Sequence, residues 1–322
     1  MTSRPSIDAL EEGVRNRDRK LLSQAITLVE SARAEDIEQG EELLRRLRST
    51  TNESFRIGIS GAPGVGKSSF INTLGEQLIR DGKTVAVLAV DPSSTITGGS
   101  ILGDKTRMES LARNDAAFIR PSPGGTSAGG VAHRTREVIL LCEASGHDVI
   151  LVETIGVGQS ETAVANMVDS FLLLLLAGAG DELQGIKRGV MELANVIAIH
   201  KADGANEEAV GYAQAEFSQA ITLLHSQADS WQPPVLACSS LTGTGIDNVW
   251  DALEEHRSFL GTEGVAAQRQ QQSLHWFDDA LTACLLDRLL ADPETHDRLS
   301  QLRQEVCDGT LQPTTAARKL LD

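Results

Sequence analysis

Between Phe55 and about Phe259, short apolar runs alternate with longer amphipathic stretches. Seven runs are nearly all apolar and predict strands: Arg56–Ser60, Thr84–Val90, Ala117–Arg120, Asp148–Val152, Ser170–Leu176, Val196–His200 and Val235–Cys238. Strands of this composition are typical of a parallel sheet, because helices cover both of its faces. Residues 55–260 are therefore predicted to form a doubly wound, mostly parallel α/β domain.

Helical patterns flank this domain on both sides. Residues 1–54 carry apolar side chains at helical spacing: Leu22, Ile26 and Val29, and more loosely Ile37, Leu44 and Leu47. This segment is predicted to be an N-terminal helical extension.

Residues 261–322 are predicted to be a C-terminal helical arm. After a predicted linker, Gly261–Gly264, a broad apolar stripe follows one helix face: Leu274, Phe277, Leu281, Cys284 and Leu285. The pair Asp292-Pro293 breaks this helix, and further helices are predicted over 294–307 and after Pro313. An apolar stripe outside the nucleotide domain favours self-association. The alternative is that the stripe packs on its own domain.

Composition narrows the possible partners. A formal net charge of -16 over 322 residues argues against nucleic acid and anionic membrane surfaces. The longest apolar run, Phe171–Ala179, is too short to span a bilayer, and the polar N-terminus lacks a secretory signal. Four scattered cysteines without a C-x-x-C pair are typical of reduced thiols in a cytoplasmic protein.

The strongest chemical signal fits G-x-x-x-x-G-K-[ST] and lies between a strand and an amphipathic helix, the context that a phosphate-binding loop requires. The motif comprises Gly61, Ala62, Pro63, Gly64, Val65, Gly66, Lys67, Ser68 and Ser69. Its glycines let backbone N–H groups converge on phosphate oxygens at the positive end of a helix. Lys67 is expected to reach the β- and γ-phosphates, and the Ser68 hydroxyl to bind Mg²⁺. The fold is therefore predicted to be a P-loop NTPase.

Two later strand ends predict that the base is guanine. The sequence HKAD, which begins at His200, is similar to the N-K-x-D motif of GTPases. The Asp203 carboxylate can accept from two guanine donors that adenine lacks, and the Lys201 stem can lie over the base. A loop resembling the one that closes over guanine follows the next strand: Ser239, Ser240 and Leu241. An ordinary His-Lys strand end is the alternative. Because imidazole is not expected to copy the paired donor and acceptor of the usual Asn, His200 should alter affinity or loop stiffness.

Acidic residues near the predicted phosphates are candidates for metal binding. Glu153 ends a buried strand where many GTPases have Asp, and it could hold a metal-bound water or orient the attacking water. Gly156 follows, with an amide placed to sense the γ-phosphate. Asp91 and Asp104 lie in or beside a long loop, which is usually functional in a compact domain. Helix capping by Glu153, and simple loop solvation by Asp91 or Asp104, are the alternatives.

A further glycine-punctuated stretch, Gly178–Gly189, follows the apolar strand at Ser170–Leu176. Lys187 in this stretch could reach the nucleotide or the acids, although a solvated lysine at a helix start is an equal alternative.

Together these motifs resemble the G-protein chaperones of methylmalonyl-CoA mutase and related adenosylcobalamin-dependent mutases, over nearly the whole chain from about Leu21. The segments that carry the resemblance are GAPGVGKSS, AVDPSS…ILGDKTRM, RPSPGG…GGVA, ILVETIGVGQSE and GDELQGIKRG. Two departures are His200 and the stretch that begins at Pro123, which differs from the usual S-P-x-x-G-T-L-G-G.

The resemblance implies roles for individual residues. The metal-side residues would be Ser68, Asp91, Asp104 and Glu153, and the catalytic group would be Lys67, Glu153, Asp104 and Lys187. Lys187 would belong to an additional switch that faces the mutase. Lys201, Asp203 and the 239–241 loop would contact guanine.

The resemblance also implies an activity and partners. The protein would bind GTP, GDP and Mg²⁺, hydrolyse GTP by in-line attack of water, gate cobalamin loading, and protect or reactivate its client mutase. It would form a homodimer through its C-terminal helices. Whether an adenosyltransferase is a further partner is left open by the sequence. The client remains open among methylmalonyl-, isobutyryl- and ethylmalonyl-CoA mutase.

Two other classes of protein remain as alternatives. A nickel-insertion GTPase for hydrogenase or urease would predict Cys/His clusters or a His-rich tail, and the sequence contains neither. A small-molecule P-loop kinase would predict a lid and an acceptor pocket in place of the HKAD segment and the loop at Cys238–Leu241.

Overall fold

The computed structural model describes residues 5–31, 33–48, 54–90, 108–122, 128–154, 160–178, 188–224 and 231–321. The predicted roles of Asp91, Asp104, Gly156 and Lys187, and the stretch beginning at Pro123, fall outside these residues. The chain separates into two compact units, Met1–Gln270 and Gln271–Asp322. The three-part division at residues 54/55 and 260/261 stays a prediction.

The first unit is built on one sheet. In the described parts of the chain it has seven strands: β1 Phe55–Gly61, β2 Val85–Val90, β3 Ala117–Ser122, β4 Val149–Thr154, β5 Ser170–Leu176, β6 Val196–His200 and β7 Val235–Ala237. Their order is β3-β2-β4-β1-β5-β6-β7, and neighbouring strands pair in parallel. The apolar runs form strands because both sheet faces are covered, which confirms the predicted α/β class.

Helices connect the strands and cover the sheet. Their bounds are α4 Lys67–Arg80, α5 Glu109–Ala112, α6 Ala128–Ala144, α7 Ser160–Ala165, α8 Arg188–Leu193 and α9 Glu207–Leu224, after α1 Ile7–Arg15, α2 Arg19–Val29 and α3 Ala34–Leu47 at the N-terminus. Leu74 and Leu78 show why α4 packs inward: both are fully buried one turn apart on its apolar face.

The N-terminal helices belong to the same unit as the sheet. The predicted apolar face of α2 is confirmed, because Leu22 and Ile26 are buried. The predicted face of α3 is partly wrong: Ile37 is 47% exposed, whereas Leu43 is fully buried. The face that packs is decided by contacts with α1 and α2, which local spacing does not encode.

The C-terminal helices are α10 Ile246–Ala291, α11 Pro293–Cys307 and α12 Pro313–Leu321. The predicted linker is wrong beyond its first residue, since only Gly261 departs from helical angles within α10, with φ 63°. The predicted break at residues 292–293 is confirmed. The Asp292 carboxylate accepts from the backbone N–H of Thr295 at 2.9 Å and so caps α11.

Buried charges lie near the amino ends of the strands. Arg56 in β1 donates to both oxygens of Glu143 at 2.6 and 2.7 Å. Asp169 accepts from the Arg56 backbone N–H and from two nitrogens of Arg269. β1 is buried along its whole length although it contains Arg56. This is possible because each buried charge lies against a charge of opposite sign.

Among the helices that the structure describes, none combines the length and apolar composition needed to cross a membrane.

Candidate functional site

The strands that carry the predicted motifs end at the same edge of the sheet. β1 ends at Gly61, β4 at Thr154 and β6 at His200, and β7 lies beside β6. In open parallel sheets, ligands bind at the carboxyl ends of the strands. The topology therefore brings together the phosphate loop, Glu153 and the two segments that are predicted to read guanine.

The phosphate loop turns directly from β1 into α4. Gly61 has no room for a side chain, because a Cβ there would lie 2.4 Å from the Leu174 carbonyl oxygen of β5. Gly66, with φ 101°, adopts a left-handed conformation just before α4 begins at Lys67. The loop therefore delivers a run of backbone N–H groups to the start of a helix of 14 residues. Such an arrangement favours anion binding.

The Lys67 ammonium lies inside this loop. Its Nζ donates to the carbonyl oxygens of Gly61 at 2.8 Å and Ala62 at 3.3 Å. Burial lowers the pKa of Lys67, and the carboxylates of Glu153 and Glu161 act in the opposite direction. The loop thus holds a cation where phosphate oxygens would approach the backbone donors.

Ser68 and Glu153 meet although 85 residues separate them in sequence. The Ser68 hydroxyl donates to Oε1 of Glu153 at 3.0 Å, and both side chains are buried. The contact arises because β4 pairs with β1, with Glu153 in register with Ile59. A hydroxyl and a carboxylate are the hard oxygen ligands that Mg²⁺ prefers, so this pair fits the predicted metal.

The segment after β6 is tied to the phosphate loop. Lys201 adopts a positive φ of 60°, which is uncommon for a residue with a side chain. Its Nζ donates to the Gly64 carbonyl at 2.9 Å, and the next backbone N–H, of Ala202, donates to Cys238 at 3.0 Å. Such uncommon backbone angles persist where surrounding contacts determine them, and they cluster at functional sites.

Asp203 is joined to the loop that follows β7. The Ser239 hydroxyl, fully buried, donates to Oδ2 of Asp203. The same hydroxyl accepts from the backbone N–H of Leu241 at 3.2 Å, and the Leu241 side chain is 85% exposed. The two segments that were predicted to read guanine are therefore one hydrogen-bonded unit.

The predicted effect of His200 on affinity or loop stiffness stays a prediction, but the structure shows which groups its ring contacts. His200 contacts the Val65 carbonyl through Nδ1 and Ser240 through Nε2. A contact that was not predicted comes from Thr73, whose hydroxyl lies 3.3 Å from the Ser240 carbonyl oxygen. A threonine in the second turn of a helix carries no sequence signal for such a contact.

The family is decided by comparison with known proteins. A family model described as "Methylmalonyl Co-A mutase-associated GTPase MeaB" matches residues 22–294. The chain belongs to the MeaB family.

Similar proteins in this family cover almost the entire chain. A probable GTPase of Mycobacterium tuberculosis is 49% identical, over 98% of this chain and 95% of the relative. GTPase ArgK of Escherichia coli is 47% identical, over 95% of this chain and 93% of the relative. The mitochondrial "Methylmalonic aciduria type A homolog" of Mus musculus is 42% identical, over 98% of this chain and 79% of the relative.

A solved structure shares the same fold. It is described as a LAO/AO transport system kinase, is 39% identical, and has a TM-score of 0.77 over 99% of this chain and 98% of that chain. As a member of the MeaB family, the chain is a P-loop GTPase, which confirms the predicted fold and enzyme class.

Proposed function

We propose that this GTPase is a nucleotide-dependent chaperone of an adenosylcobalamin-dependent acyl-CoA mutase of the methylmalonyl-CoA mutase type. One observation carries the proposal: the family model that matches residues 22–294 is described as a mutase-associated GTPase. The name of the mouse relative, which refers to methylmalonic aciduria, supports the same client. In this proposal the GTP state gates cobalamin loading, and the GTPase protects or reactivates the mutase in the cytoplasm.

The proposed nucleotide contacts follow the geometry of the site. The backbone N–H groups of residues 61–69 would bind the phosphates, and Lys67 would balance their charge. Asp203 would accept from guanine N1–H and the 2-amino group, with Lys201 lying along the base. The Leu241 side chain, which is 85% exposed, would cover the other face of the base.

Hydrolysis is proposed to depend on positioning and electrostatics, since phosphoryl transfer needs little covalent chemistry from the protein. Mg²⁺, held by Ser68 and Glu153, would supply charge compensation at the β- and γ-phosphates. The Glu153 carboxylate would also orient the water that attacks the γ-phosphate. Asp91, Asp104 and Lys187 are proposed to complete the site on the strength of the resemblance alone. Intrinsic hydrolysis is expected to be slow, with the partner supplying what the isolated site lacks.

The proposed client can be tested with purified proteins. Methylmalonyl-, isobutyryl- and ethylmalonyl-CoA mutases from the host would each be mixed with the full chain, with GDP or with a non-hydrolysable GTP analogue. We expect a complex with at least one mutase, an affinity that differs between the two nucleotides, and cobalamin loading that follows the nucleotide state. Adding the adenosyltransferase in a separate series would test whether it joins the complex.

Absence of a complex with every mutase in both nucleotide states would overturn the proposed client. The alternatives then give distinct results. A nickel-insertion GTPase would bind nickel and a hydrogenase or urease subunit. A small-molecule kinase would prefer ATP and would transfer phosphate to an acceptor other than water.

The C-terminal stripe is proposed to join two copies of the chain. Leu274, Phe277, Leu281 and Leu285 are each between 46% and 62% exposed, and all lie on α10. We expect the double variant Phe277→Glu, Leu281→Glu to weaken self-association by at least about a hundredfold, because an interface would bury both charges without partners. Light scattering of the full chain should give the mass of a dimer, and the variant the mass of a monomer.

A matched control places the same charges elsewhere. Tyr212 and Leu223 on α9 are 73% and 82% exposed, and the pair Tyr212→Glu, Leu223→Glu should leave the dimer mass unchanged. An unmodified chain that is already monomeric would contradict this part of the proposal, as would a stripe variant that remains dimeric.

A further inference from the structure

His200 is enclosed between the phosphate loop and the loop that follows β7. Its side chain is only 3% exposed although it is the last residue of β6. Nδ1 lies 2.7 Å from the Val65 carbonyl oxygen. Nε2 lies 2.6 Å from the Ser240 hydroxyl and 3.3 Å from the Ser240 backbone nitrogen. One ring therefore contacts two segments that lie 135 and 40 residues away from it in sequence.

The partners determine which ring nitrogen carries the hydrogen. A carbonyl oxygen only accepts, so Nδ1 must be the N–H that donates to Val65. In the neutral ring Nε2 is then an acceptor, and it receives the hydroxyl hydrogen and the backbone N–H of Ser240. Nε2 can accept from both the hydroxyl and the backbone N–H of Ser240 only when it carries no hydrogen.

The ring also fits the phosphate loop sterically. A Cβ on Gly66 would lie 2.6 Å from Cε1 of His200 and 2.7 Å from Nδ1, so the loop passes directly against the ring edge. The Phe70 ring, on the first turns of α4, meets the imidazole edge to face at 6.2 Å between centroids. The ring is therefore held by packing as well as by its hydrogen bonds.

From this geometry we infer that His200 is a positioning residue for guanine nucleotide. As the neutral Nδ1–H tautomer, it couples the phosphate loop to the 239–241 loop. This coupling sets the affinity of the protein for guanine nucleotide. This inference rests on the proposed nucleotide contacts and deepens them. The imidazole donates towards the segment that would hold phosphate and accepts from the segment that would close over the base. Asn could perform both tasks, whereas Leu could perform neither.

The electrostatic surroundings agree with a neutral ring. Burial lowers the pKa of His200, while the Val65 carbonyl acts in the opposite direction. Among charged groups, Lys201 lowers this pKa and Asp203 raises it; the residues that touch the ring from the phosphate loop, α4 and the 239–241 loop are uncharged.

Two substitutions test the role of the hydrogen bonds. We expect His200→Leu to weaken GDP binding by at least about tenfold in calorimetric titration, because the Val65 and Ser240 groups would lose their buried partners. His200→Asn should bind GDP within about threefold of the unmodified protein, since the amide restores a donor and an acceptor. Equal weakening by Asn and Leu would overturn the inference, as would unchanged affinity in the Leu variant.

A second buried histidine supplies the matched control. His256 is also 3% exposed and bonds a serine hydroxyl, that of Ser170 at 2.7 Å, but Ser170 begins β5 at the opposite edge of the sheet. His256→Leu should leave the GDP affinity of the folded protein unchanged. If it weakened GDP binding as much as His200→Leu, both effects would be general losses of stability, and the inference would be wrong.

The tautomer can be measured in the unmodified protein, so the inference does not depend on a variant that folds. Nitrogen NMR spectra of the full chain, with isotope-labelled histidine and with GDP, distinguish ring nitrogens that carry a hydrogen from those that do not. We expect the His200 signals, assigned by their loss in His200→Asn, to show hydrogen on Nδ1 alone. Hydrogen on Nε2 would overturn the inference. A GTP preference that Asp203→Asn retains in the test below would instead overturn the proposed nucleotide contacts on which the inference rests.

Discussion

Replacing Asp203 by Asn is expected to move nucleotide preference from GTP towards xanthosine triphosphate by at least about tenfold. The Asp203 carboxylate is the only group in the HKAD segment that can accept from both guanine donors. The Asn amide replaces one acceptor with a donor, which suits the 2-carbonyl of xanthine. The Ser239 hydroxyl already donates to Oδ2 of Asp203, so the carboxylate is held in place before a base arrives. Hydrolysis of GTP, ATP and xanthosine triphosphate by both proteins measures the change.

A nearby exposed acid provides the control. Asp247, in the first turn of α10, should give unchanged preference as Asp247→Asn. If Asp203→Asn continued to prefer GTP over xanthosine triphosphate, the segment after β6 would not be the guanine reader.

Lys67→Ala is expected to weaken GDP binding by about a hundredfold or more, a loss large enough to abolish tight binding. Removal of the Lys67 ammonium, which is largely buried, would leave the phosphate charge without its partner. The variant should stay folded, because burial already disfavours the charged form of Lys67 and its two carbonyl partners lie in a loop. Calorimetric titration with GDP measures the affinity, and thermal unfolding checks the fold.

A lysine away from the loop separates this effect from a general change of charge. Lys83 is partly exposed and lies 3.7 Å from Glu254, so Lys83→Ala should keep the GDP affinity. If Lys67→Ala bound GDP as tightly as the unmodified protein, residues 61–69 would not be the phosphate loop.

The site residues that could be predicted are those that lie within one continuous sequence motif. Lys67 and Ser68 could be assigned because the phosphate loop is a continuous motif between a strand and a helix. The contact between Ser68 and Glu153 could only be expected in outline, since it requires β4 to lie beside β1. The contacts of His200 with Val65 and Ser240 could not be predicted, because the partner of a ring nitrogen cannot be inferred from neighbours in sequence.

The sequence by itself determined the seven strands, the phosphate loop and the break between α10 and α11, because each follows from composition or spacing within a few residues. Only the tertiary structure decided that α3 buries Leu43 in place of Ile37, that Arg56 is matched by Glu143, and that His200 joins two loops. These features depend on which elements pack together. Strand order and helix docking are set by the whole core, and a local pattern of apolar and polar residues is compatible with several such arrangements.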